Sequence, residues 1–380
     1  MSRRWNFRRD RRLFVQAVLI CVTSAGVVAQ ETATATQSET EIQRQQVVDK
    51  GLAYLAKSGQ SDAGTFSDRV GPGVTALAIT SALRNGRDSS DPMVAEGLKA
   101  LEGFVKPDGG IYGNGRLRNY ETCVAMLCFA EANKNGGYNE LLQRAKAFVT
   151  DIQYGDTKRD PADPWYGGVG YGGPGRPDLS NTGYMIEALR ATETAADDPA
   201  IKRALAFVSR CQNLDSAAND TQFAAKVNDG GFYYEIPTTK IDPSTSEERY
   251  TANGGLRSYG SMTYTGLKSM IFAGLTSNDP RVKAAVQWIS DHYDVANNPG
   301  MGSAGLYYYY HTFAAAMKAA GIKTLKASDG SEHDWRKDLV AELASRQNED
   351  GSWSNSNERW FENDKNLATS FALMALAYCD

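Results

Sequence analysis

Asp178-Leu-Ser-Asn-Thr-Gly-Tyr-Met-Ile-Glu-Ala-Leu189 is one of six related stretches, each anchored on a threonine that opens an Ala- and Leu-rich run. The others begin Gly73-Val-Thr75, Tyr120-Glu-Thr122, Ser261-Met-Thr263, Tyr310-His-Thr312 and Leu367-Ala-Thr369. A pattern that returns every ~50 to 60 residues is longer than a turn and shorter than a domain, which marks a repeat array. Each unit is then expected to bury its apolar face against its neighbours.

A second run lies N-terminal to each threonine run, near 47–58, 92–104, 139–153, 199–212, 280–293 and 335–347. In Ile201-Lys-Arg-Ala-Leu-Ala-Phe-Val208 the apolar side chains recur at helical spacing and leave Lys202, Arg203 and the following Arg210 for solvent. Three of these runs open on Asp-Pro (Asp91-Pro92, Asp198-Pro199, Asp279-Pro280), a capping carboxylate before a proline at the first helical position. The threonine runs, such as 124–132, 184–191 and 370–378, are apolar nearly all round and need burial on most sides. Between the two stand Gly64-Thr-Phe66, Asp108-Gly-Gly-Ile-Tyr112, Gly167-Gly-Val-Gly-Tyr171, Asp229-Gly-Gly-Phe-Tyr-Tyr234, Gly305-Leu-Tyr307 and Asp350-Gly-Ser-Trp353. Asp-Gly permits the positive φ of a tight turn, and the aromatic can stack on the next unit. The expectation is an all-α array of six helical hairpins, an outer and an inner helix in each, joined by Gly-aromatic turns; six are enough to close into an (α/α)6 toroid, with an open superhelix as the alternative. Inserts at 154–166 and 213–258 are expected to shape the mouth of a binding site.

Residues 1–29 carry six arginines ahead of an apolar stretch and end on Val27-Val-Ala29, a small-residue cleavage site, so they read as an export signal. Residues 30–44 have few large apolar side chains and read as a flexible leader, leaving the toroid at 45–380. An exported protein, periplasmic or secreted, is expected, with no membrane insertion once the signal is removed. The chain has 41 Lys and Arg against 45 Asp and Glu, and the signal holds six of those arginines. An acidic remainder argues against nucleic acid or an anionic membrane as partner. The dispersed cysteines are not a disulfide framework.

Gln347-Asn-Glu-Asp-Gly-Ser-Trp353 resembles the glutamine–tryptophan motif of squalene–hopene cyclases, and Gln60, Gln153 and Gln212 match it in part. Ser261-Met-Thr-Tyr-Thr-Gly-Leu267 is similar to the Thr-Tyr-Cys-Gly-Leu stretch of protein prenyltransferase β subunits, with Thr265 in the cysteine's place. The resemblance covers about 45–380 and implies the α/α toroid of those families, with a central cavity for an isoprenoid or other apolar molecule. Their chemistry does not carry over. The Asp-x-Asp-Asp-Thr-Ala motif of the cyclases is absent, and the zinc positions of the prenyltransferases hold Tyr308, Tyr310 and Ala368. Neither a metal nor another cofactor is expected.

Positions one and four before each threonine share a helix face with it. The candidate catalytic residues are therefore Glu121, Asp178, His311 and Tyr264, and the candidate ligand-binding residues are Asn181, Tyr184, Tyr259, Tyr308 and Tyr310. His311 would serve as a general base with Tyr264 or Tyr310 as proton donor. Inner-helix N-termini meeting at one mouth would favour an anionic group there. Structural roles compete: Asp178, Ser180 and Asn181 as helix caps, Glu121 paired with Arg118, the tyrosines as core. Three functions remain open: a toroid that binds an apolar ligand without catalysis, an active cyclase- or polysaccharide-lyase-like enzyme (the latter acting on a glycan), and a scaffold whose outer surface binds another protein.

Overall fold

Apolar periodicity and caps decide where the helices start. In the computed structural model, which describes residues 38–68, 71–173, 175–239 and 248–380, the elements run in this order: α1 (Glu39–Tyr54), α2 (Gly73–Arg84), α3 (Pro92–Glu102), α4 (Arg118–Ala132), α5 (Asn139–Ile152), α6 (Leu179–Ala191), α7 (Pro199–Arg210), the single turn α8 (Ala224–Val227), α9 (Gly260–Phe272), α10 (Pro280–Asp291), α11 (Leu306–Ala320), a hairpin β1 (Thr324–Lys326) and β2 (Glu332–Asp334), α12 (Trp335–Arg346) and α13 (Lys365–Leu376). The export signal at 1–29 and leader residues 30–37 lie outside the described residues.

Asp91, Asp198 and Asp279 each accept a backbone N–H of the helix that their Asp-Pro dipeptide opens, so proline stands where no amide hydrogen is needed. The first helix differs from expectation. It begins at Glu39, inside the segment read as leader, because Ser38 accepts the N–H of Glu41 at 3.2 Å and Arg44 bridges to the Glu41 carboxylate at 2.7 Å. A cap and an ion pair order a stretch that apolar content alone does not.

Helices α2, α4, α6, α9, α11 and α13 pack one on the next, and α13 packs on α2, so the circuit closes. Every residue of α2 from Gly73 to Ala82 is buried, as its all-round apolar sequence demands. The other long helices lie outside this circuit: α3 on α2, α5 on α4, α7 on α6, α10 on α9, and α12 on α1 and α13. In α7 the buried apolar side chains are Ala200, Ile201, Ala204, Phe207 and Val208, the stripe of an amphipathic helix; Arg210 at its end, expected in solvent, is buried as well and pairs with Asp220 at 2.8 Å.

One hydrogen-bonded device recurs. The N–H of Phe66, Ile111, Val169, Phe232 and Trp353 donates to Thr75, Thr122, Thr182, Thr263 and Thr369 Oγ1 at 2.9 to 3.1 Å. The repeated threonine therefore pins the preceding turn onto its helix. Gln60, Gln153, Gln212 and Gln347 each donate through Nε2 to the carbonyl of their own turn glycine and to a carbonyl in an outer helix of the following unit. Those glycines have positive φ, and a Cβ on Gly351 would stand 2.4 Å from the Lys50 carbonyl oxygen, so the turn closes on α1 only as glycine. Gln347 Nε2 also reaches Val47 O at 2.9 Å, which ties the last unit to the first.

Candidate functional site

The N-terminal ends of the six inner helices open on one cavity of about 940 Å³. Its wall is built from Gly73 and Val74 of α2, Tyr120 and Glu121 of α4, Ser180, Asn181 and Tyr184 of α6, Ser261 and Met262 of α9, Tyr308 of α11, and Leu367 and Phe371 of α13, with Tyr259 just ahead of α9. Tyr120 meets Tyr184 edge-on at 5.4 Å, Tyr184 tilts on Tyr308 at 6.4 Å, and Tyr308 meets Phe371 at 5.7 Å, making a continuous aromatic surface. The 213–258 insert adds Tyr233, Tyr234, Glu235, Glu248 and Arg249 to the mouth.

Five candidates line this cavity: Glu121, Asn181, Tyr184, Tyr259 and Tyr308. Glu121 is 2% exposed, and its Oε2 accepts the Gly113 N–H at 3.0 Å. Burial raises its carboxyl, and that hydrogen bond only partly offsets the shift. It does not pair with Arg118, whose guanidinium turns to the Gly172 carbonyl. Tyr308 shares hydrogen bonds with Ser180 Oγ at 2.7 Å and Thr265 Oγ1 at 3.4 Å.

Asp178 stands behind the wall as the N-cap of α6, with Oδ1 taking the Asn181 N–H and Oδ2 the Asn181 amide, both at 2.8 Å. Burial pushes its carboxyl up to about 7, against the opposing hydrogen bonds from Asn181 and Tyr234. An acid raised in the folded state adds stability below its unfolded value near 4 and loses it as pH rises through 7. Asn181 Oδ1 has no hydrogen-bond partner, so an amide flip lets it accept from a protonated Asp178 or from an asparagine placed there. Asp178→Asn is therefore expected to remove this pH dependence and to raise Tm by about 2–4 °C at pH 8. Scanning calorimetry of both proteins at pH 5 and pH 8 checks it, and equal Tm differences at the two values would refute it.

Three candidates lie elsewhere. Tyr264 is 1% exposed and packs on Tyr309 and Phe313, and Tyr310 donates its hydroxyl to Val295 O at 2.9 Å. Tyr264 and Tyr310 are each the fifth residue of their helix, one past the position that Thr182 and Thr263 hold in α6 and α9, and at about 100° per residue that place points away from the cavity face. His311 lies deeper. Thr312 is the seventh residue of α11, whereas Thr182 and Thr263 are the fourth of theirs, because Gly305 in a left-handed conformation starts α11 early. His311 stacks on Phe371 at 5.8 Å, and burial followed by the charge of Lys268 lowers it to about 3, so it is a neutral ring in the interior and no general base near pH 7.

The anion expectation also needs correction. A first-turn N–H is already taken at five of the six inner helices: Asn119 by Tyr171 O at 3.0 Å, Leu179 by Tyr234 O at 2.8 Å, Ser261 by Asn298 Oδ1 at 3.0 Å, Tyr308 by Glu362 Oε1 at 2.8 Å and Leu367 by Asp364 Oδ1 at 3.0 Å. At these helices a loop takes a donor that an anion would use, whereas α2 opens on Pro72 with no side-chain cap. Zinc does not fit either: Tyr308 and Tyr310 face different ways and Ala368 offers no donor, while no group of three or more His, Cys, Asp or Glu among the described residues is placed to hold a metal.

The residues that motif reading missed sit in the loop 354–364. Glu362 is fully buried and accepts from Tyr308 N and from Asn355 Nδ2 at 2.8 Å, and Trp360 and Phe361 beside it line the mouth. The unusual length of that segment between its turn and its helix was the available signal.

No protein-family model matches the chain, and no curated protein matches it. Solved structures do. The type II terpene cyclase MstE from Scytonema, without ligand, aligns with a TM-score of 0.51 at 13% identity over 90% of this chain and 98% of that one. D-mannose isomerase aligns at 0.56 and 12% identity over 92% and 99%, and an alpha-amylase from Clostridium perfringens at 0.54 and 11% over 88% and 98%. At such identities the likeness is one of fold: the chain is a cyclase-like α/α toroid.

Proposed function

We propose that this is an exported α/α toroid of six helical hairpins that binds an apolar, isoprenoid-like small molecule in its central cavity. The observation that carries the reading is the cavity itself, about 940 Å³ of open space walled by Tyr120, Tyr184, Tyr308, Phe371, Met262 and Leu367. A scaffold that used only its outer surface would have no need to keep the ring axis unfilled, since empty apolar space costs packing. No helix among the described residues is long and apolar enough to cross a membrane. A polysaccharide-lyase mechanism through a Tyr/His pair loses support, because His311 is walled off behind Phe371.

One observation favours catalysis as a second reading. Glu121 is a buried carboxyl at the cavity wall whose proton is held more tightly than usual, the property of a general acid. Glu121→Gln would then abolish turnover of a bound polyene while leaving its affinity unchanged; lost affinity with no turnover in the wild type assigns Glu121 to binding alone.

Calorimetric titration with farnesol and geranylgeraniol tests the first reading. Micromolar binding is expected, and Leu367→Trp, which adds bulk at the cavity wall, is expected to weaken it at least tenfold. Wild-type protein that binds neither alcohol, or a Leu367→Trp variant that binds as well as wild type, would contradict it.

A further inference from the structure

Trp360 and Phe361 break two rules at once. Both are non-glycine residues with left-handed backbone, φ 59° and 63°, and both are exposed, 46% and 68%. Consecutive bulky residues at positive φ cost of order 1–3 kcal/mol each and persist only where the surroundings hold them. The surroundings here do. Glu362, the next residue, is fixed under α11 by the Tyr308 N–H and the Asn355 amide. Asn355 in turn donates to Ser303 O at 2.7 Å. Trp360 lies flat against Gly305, where an added Cβ would stand 2.9 Å from its ring, and the Arg359 guanidinium covers it at 4.4 Å. Arg359 is held across the mouth by Glu248 at 2.9 Å. The strained loop is thus built to present two aromatic rings to water at the rim of the cavity.

The charges at the same rim are otherwise engaged. Arg176 and Arg249 both pair with the buried Glu235, Arg359 pairs with Glu248, and Arg257 turns its Nε to Tyr250 O at 3.1 Å. Arg116 remains exposed at the rim. With a first-turn N–H of α6, α9, α11 and α13 taken as well, the mouth around 360–361 offers apolar ring faces in place of a cradle for negative charge.

We propose that Trp360 and Phe361 are specificity-determining residues, a fixed aromatic ledge on which the outer part of the bound molecule lies, and that the ligand is neutral at that end and not a diphosphate or carboxylate. This rests on the reading of the cavity as an apolar ligand site and adds what the ligand's outer end must be. The exposed rings are then covered when the site is filled, and the capped helix ends need no partner from the ligand.

The test uses full-length processed protein, geranylgeraniol and geranylgeranyl diphosphate as probes, and the variant Trp360→Gly/Phe361→Gly. Glycine relieves the left-handed backbone, so Tm is expected to hold or rise. Wild type is expected to bind the alcohol at least tenfold more tightly than the diphosphate at fixed ionic strength, and the variant to lose at least tenfold in affinity for the alcohol. A diphosphate bound more tightly than the alcohol, or a variant that binds the alcohol as wild type does, would overturn the ledge. If Phe361→Gly alone unfolds the protein, Phe361→Ser carries the same comparison. Wild-type binding to phosphatidylcholine vesicles that the double variant loses, with alcohol affinity intact, would assign the rings to a membrane and also overturn it. Absence of any alcohol binding by wild type is a separate result that removes the cavity reading beneath.

Discussion

Lys268→Met is expected to lower the stability of the toroid by about 3–5 kcal/mol. Below the cavity floor, Lys268 Nζ lies 2.5 Å from Glu187 Oε2, with the two side chains only 4% and 6% exposed. Burial alone would raise the glutamate, but Lys268, then Arg84 and His311, hold it well down, to about 2. Removing the lysine strands a buried carboxylate without its direct ion-pair partner, leaving Arg84 as the opposite charge nearby. Glu187→Leu with Lys268→Met is expected to recover most of the loss, since two apolar side chains avoid the desolvation altogether. Urea denaturation of the wild type, both single variants and the double variant closes the cycle. The pair also sets an acid limit. A carboxyl lowered in the folded state contributes stability above its unfolded value near 4, and that contribution drains away as pH falls toward 2.

Gln347→Ala is the second large change, expected at about 2–4 kcal/mol. The amide donates to Val47 O and Gly351 O, both at 2.9 Å, and alanine leaves Gly351 O without this donor and Val47 O with only its bond inside α1, at the seam between α12 and α1. Gln153→Ala removes the equivalent bridge in mid-array, where Nε2 reaches Gly167 O and Ala200 O at 2.9 and 3.0 Å. In a closed ring the two costs should be similar, because the seam carries the same load as any other junction. Amide hydrogen exchange is the sharper readout: Gln347→Ala is expected to release α1 (Glu39–Tyr54) first. A seam variant as stable as wild type would mean that α1 is held by its own packing and the bridge contributes little.

The repeat was legible in the sequence because its devices are local. An Asp-Pro start needs only a dipeptide, and the glycine of each turn is forced by a positive φ and by the carbonyl of the next unit, as at Gly351 against Lys50. The role of the threonine was not legible. Ser or Thr near a helix start reads as a cap, yet Thr75 and its equivalents accept the N–H of a turn residue such as Phe66, a contact between segments nine residues apart. Placement at the cavity wall was legible where position in the repeat equals position in the ring, which holds for Glu121, Asn181, Tyr184, Tyr259 and Tyr308. It failed for His311 because α11 starts earlier than its counterparts, an offset that depends on the left-handed Gly305 and the missing turn before it. Glu362, Trp360 and Phe361 belong to no repeat position, so their place at the mouth depends on a loop path that periodicity does not encode.

The proposed function requires the cavity to be a ligand site. Mass spectrometry of protein purified without detergent, first under native conditions and then after organic extraction, measures this directly. The account predicts one class of apolar, neutral small molecule retained by the wild type and lost from Leu367→Trp. A wild-type protein that carries nothing and takes up neither farnesol nor geranylgeraniol when offered them would contradict it.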